Sequence, residues 1–391
     1  MNKNFLKGAV VGAFMMCMVG AIIGCSAIER VKVSEDSILT KDTLTKLAKI
    51  QDKIEDEYLY TDDMDSQAIQ EAIIKGYVAG LNDPYSVYYD EAETKELYEM
   101  TTGTFGGIGV AIQQDQTTGL ITFTHVYKDN PGDKAGFLQG DIVYKINGED
   151  VTNQDLDTVV SKIRGEIGTE VKITVVRDGE EYTGTAVRAL IENDTVYYEM
   201  KEEKIGYLQI TAFEDVTYKQ FVSAMTDLKS QGMKGLVIDL RNNGGGNLVT
   251  VCQMLDAILP EGNVVSVKYK RGTEEVYPSD ANTILDVPLV VLTNGYSASA
   301  SEIFAGAVQD YKIGTLVGTT TYGKGVVQQV YDLGDNTAVK LTVAEYFTAG
   351  GRNIHGIGIT PDVEVEYEYD EENPKADNQL EKAMQILKKG M

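Results

Sequence analysis

Lys324 lies in the stretch GTTTYGKG, Gly318 to Gly325, which matches a phosphate-binding loop, G-x-x-x-x-G-K-[ST], up to its lysine. The next residue should be Ser or Thr, to hold magnesium, and it is Gly325. A phosphate loop also needs a helix after its lysine, so that backbone N–H groups face the phosphates. Here VVQQVYDLG follows, alternating and β-branched, which reads as a strand. The lysine therefore suits other chemistry. Glycines on both sides allow close approach to its amine, and no carboxylate stands within several residues to hold its proton. A lysine that acts as a base must be neutral, which requires its pKa to fall by about 3 units, or about 4 kcal/mol of burial and neighbouring charge.

A nucleophile for such a base is offered by TNGYSASASE. A strand ends at Asn294, a glycine turn follows, and small residues open a helix. Ser299 falls at this strand-to-helix corner, an arrangement like the nucleophile elbow although the sequence is not G-x-S-x-G. The Ala300 N–H, in the first helical turn, is free to bind a developing oxyanion. The same residues also fit an ordinary serine-rich N-cap. His355, in NIHGIGITPD, and His125 are the histidine alternatives to Lys324 as the base. Gln328, four positions after Lys324, can orient the amine without holding its proton.

Two glycine-rich stretches complete the set. DLRNNGGGN, Asp239 to Asn247, joins a strand to a helix, and Gly245 or Gly246 can supply the second oxyanion donor. Asp239 and Arg241 read as structural. GGIGV, Gly106, Gly107, Ile108, Gly109 and Val110, precedes a strand and suits capture of a C-terminal carboxylate, the peptide adding along the sheet edge.

Other chemistry is poorly served. The two histidines have no metal-ligand spacing, and GTFGGIGV does not fit G-x-G-x-x-G, so no cofactor is expected. The formal net charge of −25 argues against nucleic acid as a partner. Of three cysteines, only Cys252 lies beyond the leader, in the apolar helical pattern LVTVCQMLDAIL, where it reads as a small buried hydrophobe.

The elements that must position these groups follow from periodicity. Residues 37–95 read as helical, with Leu44, Leu47, Ile54 and Tyr58, then Ile69, Ile73, Tyr77 and Leu81, on one side. From about 103 to 188 the texture is short strands and glycine turns around one helix, LDTVVSKIR. From about 205, apolar strands such as GLVIDLR and PLVVLTN alternate with helices, which predicts a parallel or mixed sheet covered by helices. A terminal helix, NQLEKAMQILKK, ends the chain. The leader carries Lys3 and Lys7, then an apolar run from Gly8 to Ile28, long enough to span a bilayer or serve as a signal peptide. IIGC resembles a lipoprotein cleavage box that would leave Cys25 lipidated. Either reading puts the rest of the chain outside the cytoplasm.

Together these pieces resemble the carboxy-terminal processing (tail-specific) proteases from about residue 40 to 365. NDPYS looks like the motif after that family's N-terminal helices; GGIGV, NPGDKAGFLQGDIVYKINGEDV and IRGEIGTEVKITVVR look like its PDZ domain. DLRNNGGGN, SASASE, YGKGVVQ and GRNIHGIGITPDVEV look like its glycine loop, nucleophile, base and closing motifs. The resemblance implies a multidomain α+β protein with a leader over 1–30, a dimerising helical segment over 37–95 and a PDZ domain over 96–190. An α/β (ClpP/crotonase-like) protease core over 191–370 and a C-terminal helix over 371–391 would follow. It implies a serine endopeptidase with Ser299 as nucleophile, Lys324 as general base, Gln328 as its orienter, and Ala300 with Gly245 as the oxyanion hole. His355 falls on a motif that is not catalytic in the family. The family also implies a PDZ domain that recognises substrate C-termini and gates the site, with Arg164 as a coupling residue, and homodimers formed through the N-terminal helices. Two positions depart from its pattern: Gly244 stands where proline is usual, and Asn247 where an aliphatic residue is. The competing reading is a non-catalytic PDZ adaptor that binds C-terminal tails.

Overall fold

The computed structural model describes residues 38–390, so the leader and its Cys17 and Cys25 lie outside the described residues. Among the described residues no helix is long and apolar enough to cross a membrane. The chain divides into two compact units, one of residues up to 91 with 330–341, the other of 92–329 with 342–391.

Among its described residues the first unit holds two α-helices, α1 (Lys41–Glu57) and α2 (Ser66–Ala79). Each starts on a side-chain cap: Thr40 accepts from the Thr43 N–H, and Asp65 accepts from Gln67 and Ala68. Their apolar stripes stay in water, with Leu44, Leu47, Ile50, Ile69, Ile73 and Tyr77 all exposed. A short strand, β1 (Val87–Tyr89), pairs antiparallel with Ala338, Val339 and Lys340. Pattern alone placed no strand from the 330s in this unit, because that pairing spans some 250 residues of sequence.

The second unit opens with α3 (Glu91–Thr102), whose first residue lies at the boundary. Strand β2 (Thr104–Gly107) follows. An antiparallel sheet then runs β3 (Val110–Gln114), β4 (Ile121–Val126), β5 (Ile142–Ile146), β6 (Glu170–Arg177) and β7 (Glu180–Val187), in that spatial order. Helix α4 (Leu156–Ile163) is capped by Asp155 and buries Val159 and Ile163 on the core that holds Phe123, Phe137, Ile173 and Val175. β8 (Ala189–Glu192) returns to pair with β2. The strand-rich module expected over residues 103–188 is thus an antiparallel sheet with α4 and a short helical turn, Pro131–Lys134, packed in it.

Strands β9 (Val196–Met200), β10 (Ile205–Ile210) and β11 (Gly235–Asp239) begin the main sheet. Helix α5 (Thr217–Ser230) joins β10 to β11, and α6 (Leu248–Asp256) follows β11. After the hairpin β12 (Gly262–Tyr269) and β13 (Glu274–Ser279) come β14 (Leu289–Thr293), α7 (Ala300–Tyr311) and β15 (Gly314–Gly318). Strands β16 (Val326–Asp332), β17 (Ala338–Thr348) and β18 (Val363–Glu364) precede the last helix, α8 (Asn378–Gly390). The sheet order is β9-β10-β11-β14-β15-β18, parallel throughout except for antiparallel β9. Both faces are covered, which is why β11 and β14 are apolar and buried at nearly every position. Leu236 and Ile238 face α5, α6 and α7, while Val237 and Leu292 face Ala383 and Leu387 of α8. The C-terminal helix therefore packs as one wall of the core rather than as a separate segment.

Candidate active site

Ser299 ends the turn between β14 and α7 with φ +54° and ψ −112°. A non-glycine residue there stores about 1–3 kcal/mol of strain, which its neighbours must outweigh. Its flanking serines do that. Ser297 and Ser301, both fully buried, donate to the carbonyls of Leu240 and Asn243 at 2.8 Å. Their hydroxyls are thereby committed, and Ser299, partly exposed, is the serine of the three that faces outward.

Asn243 is the second support, and sequence reasoning passed over it. It is wholly buried; its Nδ2 donates to the Ile210 carbonyl, and its own carbonyl accepts from the Ala298 N–H and from Ser301. Its Oδ1 accepts from the Gly245 N–H at 2.8 Å. Gly245 packs on the Ser299 turn: a Cβ there would come within 2.8 Å of the Ser299 Cβ and 3.0 Å of the Ala300 nitrogen. Its N–H, however, is directed at Asn243 rather than toward an oxyanion. Among the described residues the N–H groups of Gly246 and Ala300 have no acceptor. Gly246 is pressed against Phe213, where a Cβ would come within 2.2 Å of the carbonyl oxygen.

The lysine loop, Gly318 to Gly325, runs into strand β16, not into a helix, which removes the nucleotide reading on geometric grounds. Lys324 is partly exposed, and its N–H donates to Glu302 Oε2 at 2.8 Å. Gly325 lies against the His355 backbone and donates its N–H to His355 Nδ1 at 3.3 Å. His355 thus supports the loop from outside. His125 stands on β4 in the PDZ-like module, edge-on to Tyr127. Gln328, on β16, donates to Thr342 Oγ1 at 3.2 Å, which leaves its Oε1 without a donor in that contact.

Glu302 is the residue with most to say about the site, and the sequence marked it only as part of a motif. It is fully buried in the first turn of α7. Oε1 accepts from Thr321 Oγ1 and the Gly323 N–H, both at 2.6 Å; Oε2 accepts from the N–H groups of Ser299 at 2.9 Å and Lys324 at 2.8 Å. Four donors around one carboxylate meet the cost of burying a charge. An acid in a helix's first turn, three residues after a serine, was the available signal.

The remaining candidates lie elsewhere. Asp239 and Arg241 form an ion pair that Asp377 and Gln379 extend, joining β11 to the start of α8. Asn247 caps α6, accepting from Val249 and donating to Asp215, and nothing lies within 4 Å of a Cβ placed at Gly244. Both departures from the family pattern are therefore accommodated locally. Cys252 is buried in α6, and burial pushes its thiol up to about 12, which makes it a poor nucleophile. In the PDZ-like module, Ile108 is buried and Gly109, at φ +70°, abuts Asn130. Strand β3, opened by Val110, pairs with β4 on one side and ends the sheet on the other. Gly106 accepts from the Gly165 N–H, and Gly107 packs on the Phe105 ring. Arg164 stacks on Phe105, 3.9 Å from the ring centre, and pairs with Glu99 of α3 at 3.6 Å. These contacts tie it to the entry of the module.

Comparison with known proteins gives the family. Residues 9–94 match the N-terminal domain of activating protease CtpB, 122–177 a PDZ domain, and 204–365 peptidase family S41. The chain is 35% identical to carboxy-terminal processing protease CtpA of Bacillus subtilis over 90% of its own length and 77% of the relative's. The chain belongs to the carboxy-terminal processing proteases. It is 32% identical to CtpB of the same organism, over 93% of this chain and 78% of that one. The photosystem II D1 C-terminal processing protease is similar in structure at a TM-score of 0.49 and 29% identity, covering 87% and 90% of the two chains. As a carboxy-terminal processing protease this chain is a serine-type peptidase with a PDZ domain, whose substrates are proteins or peptides.

Proposed function

We propose that this peptidase works through a Ser299–Lys324 dyad. Neutral Lys324 Nζ takes the Ser299 proton as Oγ attacks the scissile carbonyl, and the N–H groups of Ala300 and Gly246 stabilise the oxyanion. Protonated Lys324 then gives its proton to the leaving amine; the neutral amine of Lys324 next takes a proton from the water that attacks the ester and passes it to Ser299 Oγ as the acid product leaves. Gln328 orients the amine through its Oε1. The observation that carries this reading is the convergence on Glu302, which holds the backbones of Ser299 and Lys324 on one oxygen.

Substrate tails bind, in this reading, at Gly106–Val110, with the chain added along the free edge of β3. The exposed apolar faces of α1 and α2 are matched by a second copy, and the leader places the enzyme in the cell envelope, outside the cytoplasm. The test is turnover of an unstructured peptide with an apolar C-terminus. Ser299→Ala and Lys324→Ala should each abolish it; retained turnover in either overturns the dyad. Tail binding by the wild-type chain without cleavage would favour the adaptor reading.

A further inference from the structure

Two buried residues, one bonded to each side of the Ser299 backbone, also reach the lysine loop. Glu302 Oε2 accepts from the N–H groups of Ser299 and Lys324. The hydroxyl of Tyr346, on β17, donates to the Ser299 carbonyl at 3.2 Å, and the Tyr346 N–H donates to the Gly325 carbonyl at 3.0 Å. Each residue thus bonds both Ser299 and one member of the Lys324–Gly325 pair, Glu302 through its carboxylate alone, Tyr346 through its hydroxyl to Ser299 and its backbone N–H to Gly325. We infer that Glu302 and Tyr346 are positioning residues, a two-sided brace that sets the register of the lysine loop against the strained nucleophile turn.

The geometry gives this pair more than a packing role. Sharing an oxygen keeps the Ser299 and Lys324 nitrogens within about 6 Å of each other, the two bonds end to end. Ser299 is held at φ +54° by bonds to its N–H on one side and its C=O on the other. Thr321 extends the brace: its hydroxyl donates to Glu302 Oε1 and accepts from the Ile359 N–H at 2.7 Å. Burial, and then the negative Glu302, pushes the Tyr346 phenol well above its usual range, so it stays a donor at any working pH. Glutamine at 302 would put an NH2 group where one oxygen now accepts, facing N–H groups. Catalysis is sensitive to displacements of about 1 Å at the reacting atoms, so a slipped lysine loop lowers kcat without touching substrate binding.

This inference rests on the Ser299–Lys324 reading. Its test is a set of full-length variants, Glu302→Gln, Tyr346→Phe and Thr321→Val, assayed for kcat, KM and thermal midpoint beside Ser299→Ala and Lys324→Ala. Glu302→Gln should lower kcat at least 10-fold and the other two about 3- to 10-fold, with KM within twofold. Glu302→Gln/Thr321→Val should be no slower than Glu302→Gln alone, because both act through one carboxylate. If folded Glu302→Gln keeps kcat within twofold of wild type, the brace is wrong. If that variant does not fold, unchanged kcat in both Tyr346→Phe and Thr321→Val overturns it instead. Turnover surviving in Lys324→Ala would sink the dyad itself, whereas inactive dyad variants with unaffected brace variants would sink only this inference.

Discussion

Gly325 lies directly against His355: a Cβ at 325 would stand 2.7 Å from the His355 backbone nitrogen and 2.9 Å from its Cβ. The residue after Lys324 must therefore be glycine for a steric reason, unrelated to phosphate. Gly325→Ala should push the loop away from the closing segment and carry Lys324 with it. We expect kcat to fall at least 100-fold, with a stability loss of about 1–3 kcal/mol from overpacking. Chemical denaturation beside the kinetics separates the two; wild-type kcat in the variant would contradict the contact.

Gly245→Ala tests the opposite wall. Its φ is +107°, and the added methyl would meet the Ser299 Cβ and the Ala300 nitrogen. The variant should fold, because the clash is confined to the nucleophile turn, and lose activity by at least 100-fold. Asn243→Ala should be worse for folding, since it leaves the Ile210 carbonyl and the Gly245 N–H without partners. Thermal unfolding ranks the two: a midpoint in Gly245→Ala lower than in Asn243→Ala would refute this assignment.

Gln328→Glu tests the uncharged orienter. A carboxylate beside Lys324 would hold the proton on the amine, so the limb of kcat/KM that rises with pH should move upward. Gln328→Ala should lower kcat about 10-fold without that displacement. A pH–rate profile of Gln328→Glu that overlays the wild type would remove Gln328 from the mechanism.

Asp377 gives the C-terminal helix a pH dependence. Burial alone would raise its carboxyl; the hydrogen bonds from Arg241 outweigh it and hold the carboxyl below its usual value. A depressed folded-state value means the pair stabilises above the unfolded carboxyl's pKa of about 3.9, and that this contribution is lost as pH falls through the folded value. The protection of the amides over residues 378–390, measured against their intrinsic exchange rates at each pH, should therefore fall below about pH 4. In Asp377→Asn that acid-dependent step should vanish; its persistence would point to other groups.

Cys252 should resist alkylation in the native protein at pH 8. With its thiol pushed up to about 12, the thiolate fraction is on the order of one in ten thousand. Peptide-level mass spectrometry after iodoacetamide, with and without denaturant, measures this. Rapid native labelling would show that α6 opens.

The sequence by itself determined the order of the parts. Glycine and β-branched texture marked the strand-rich module, and continuous apolar runs such as GLVID and LVVLT marked a sheet buried on both faces, because these signals are local and periodic. Ser299, Lys324 and Gln328 could be proposed from the sequence because glycines, small residues and a lysine with no acidic sequence neighbour are what the proposed chemistry asks for. What only the tertiary structure decided was how backbone groups are shared among distant segments. Asn243 takes the Gly245 N–H, so the second oxyanion donor moves to Gly246 in the proposed mechanism. Residues 338–340 complete the unit of β1, and Arg164 is held by Glu99 and Phe105. Glu302 reads in sequence as one more helix-start acid, and its importance lies in donors from residues 299, 321, 323 and 324. No local pattern encodes those bonds, since a buried carboxylate's partners are set by which loops the fold brings around it.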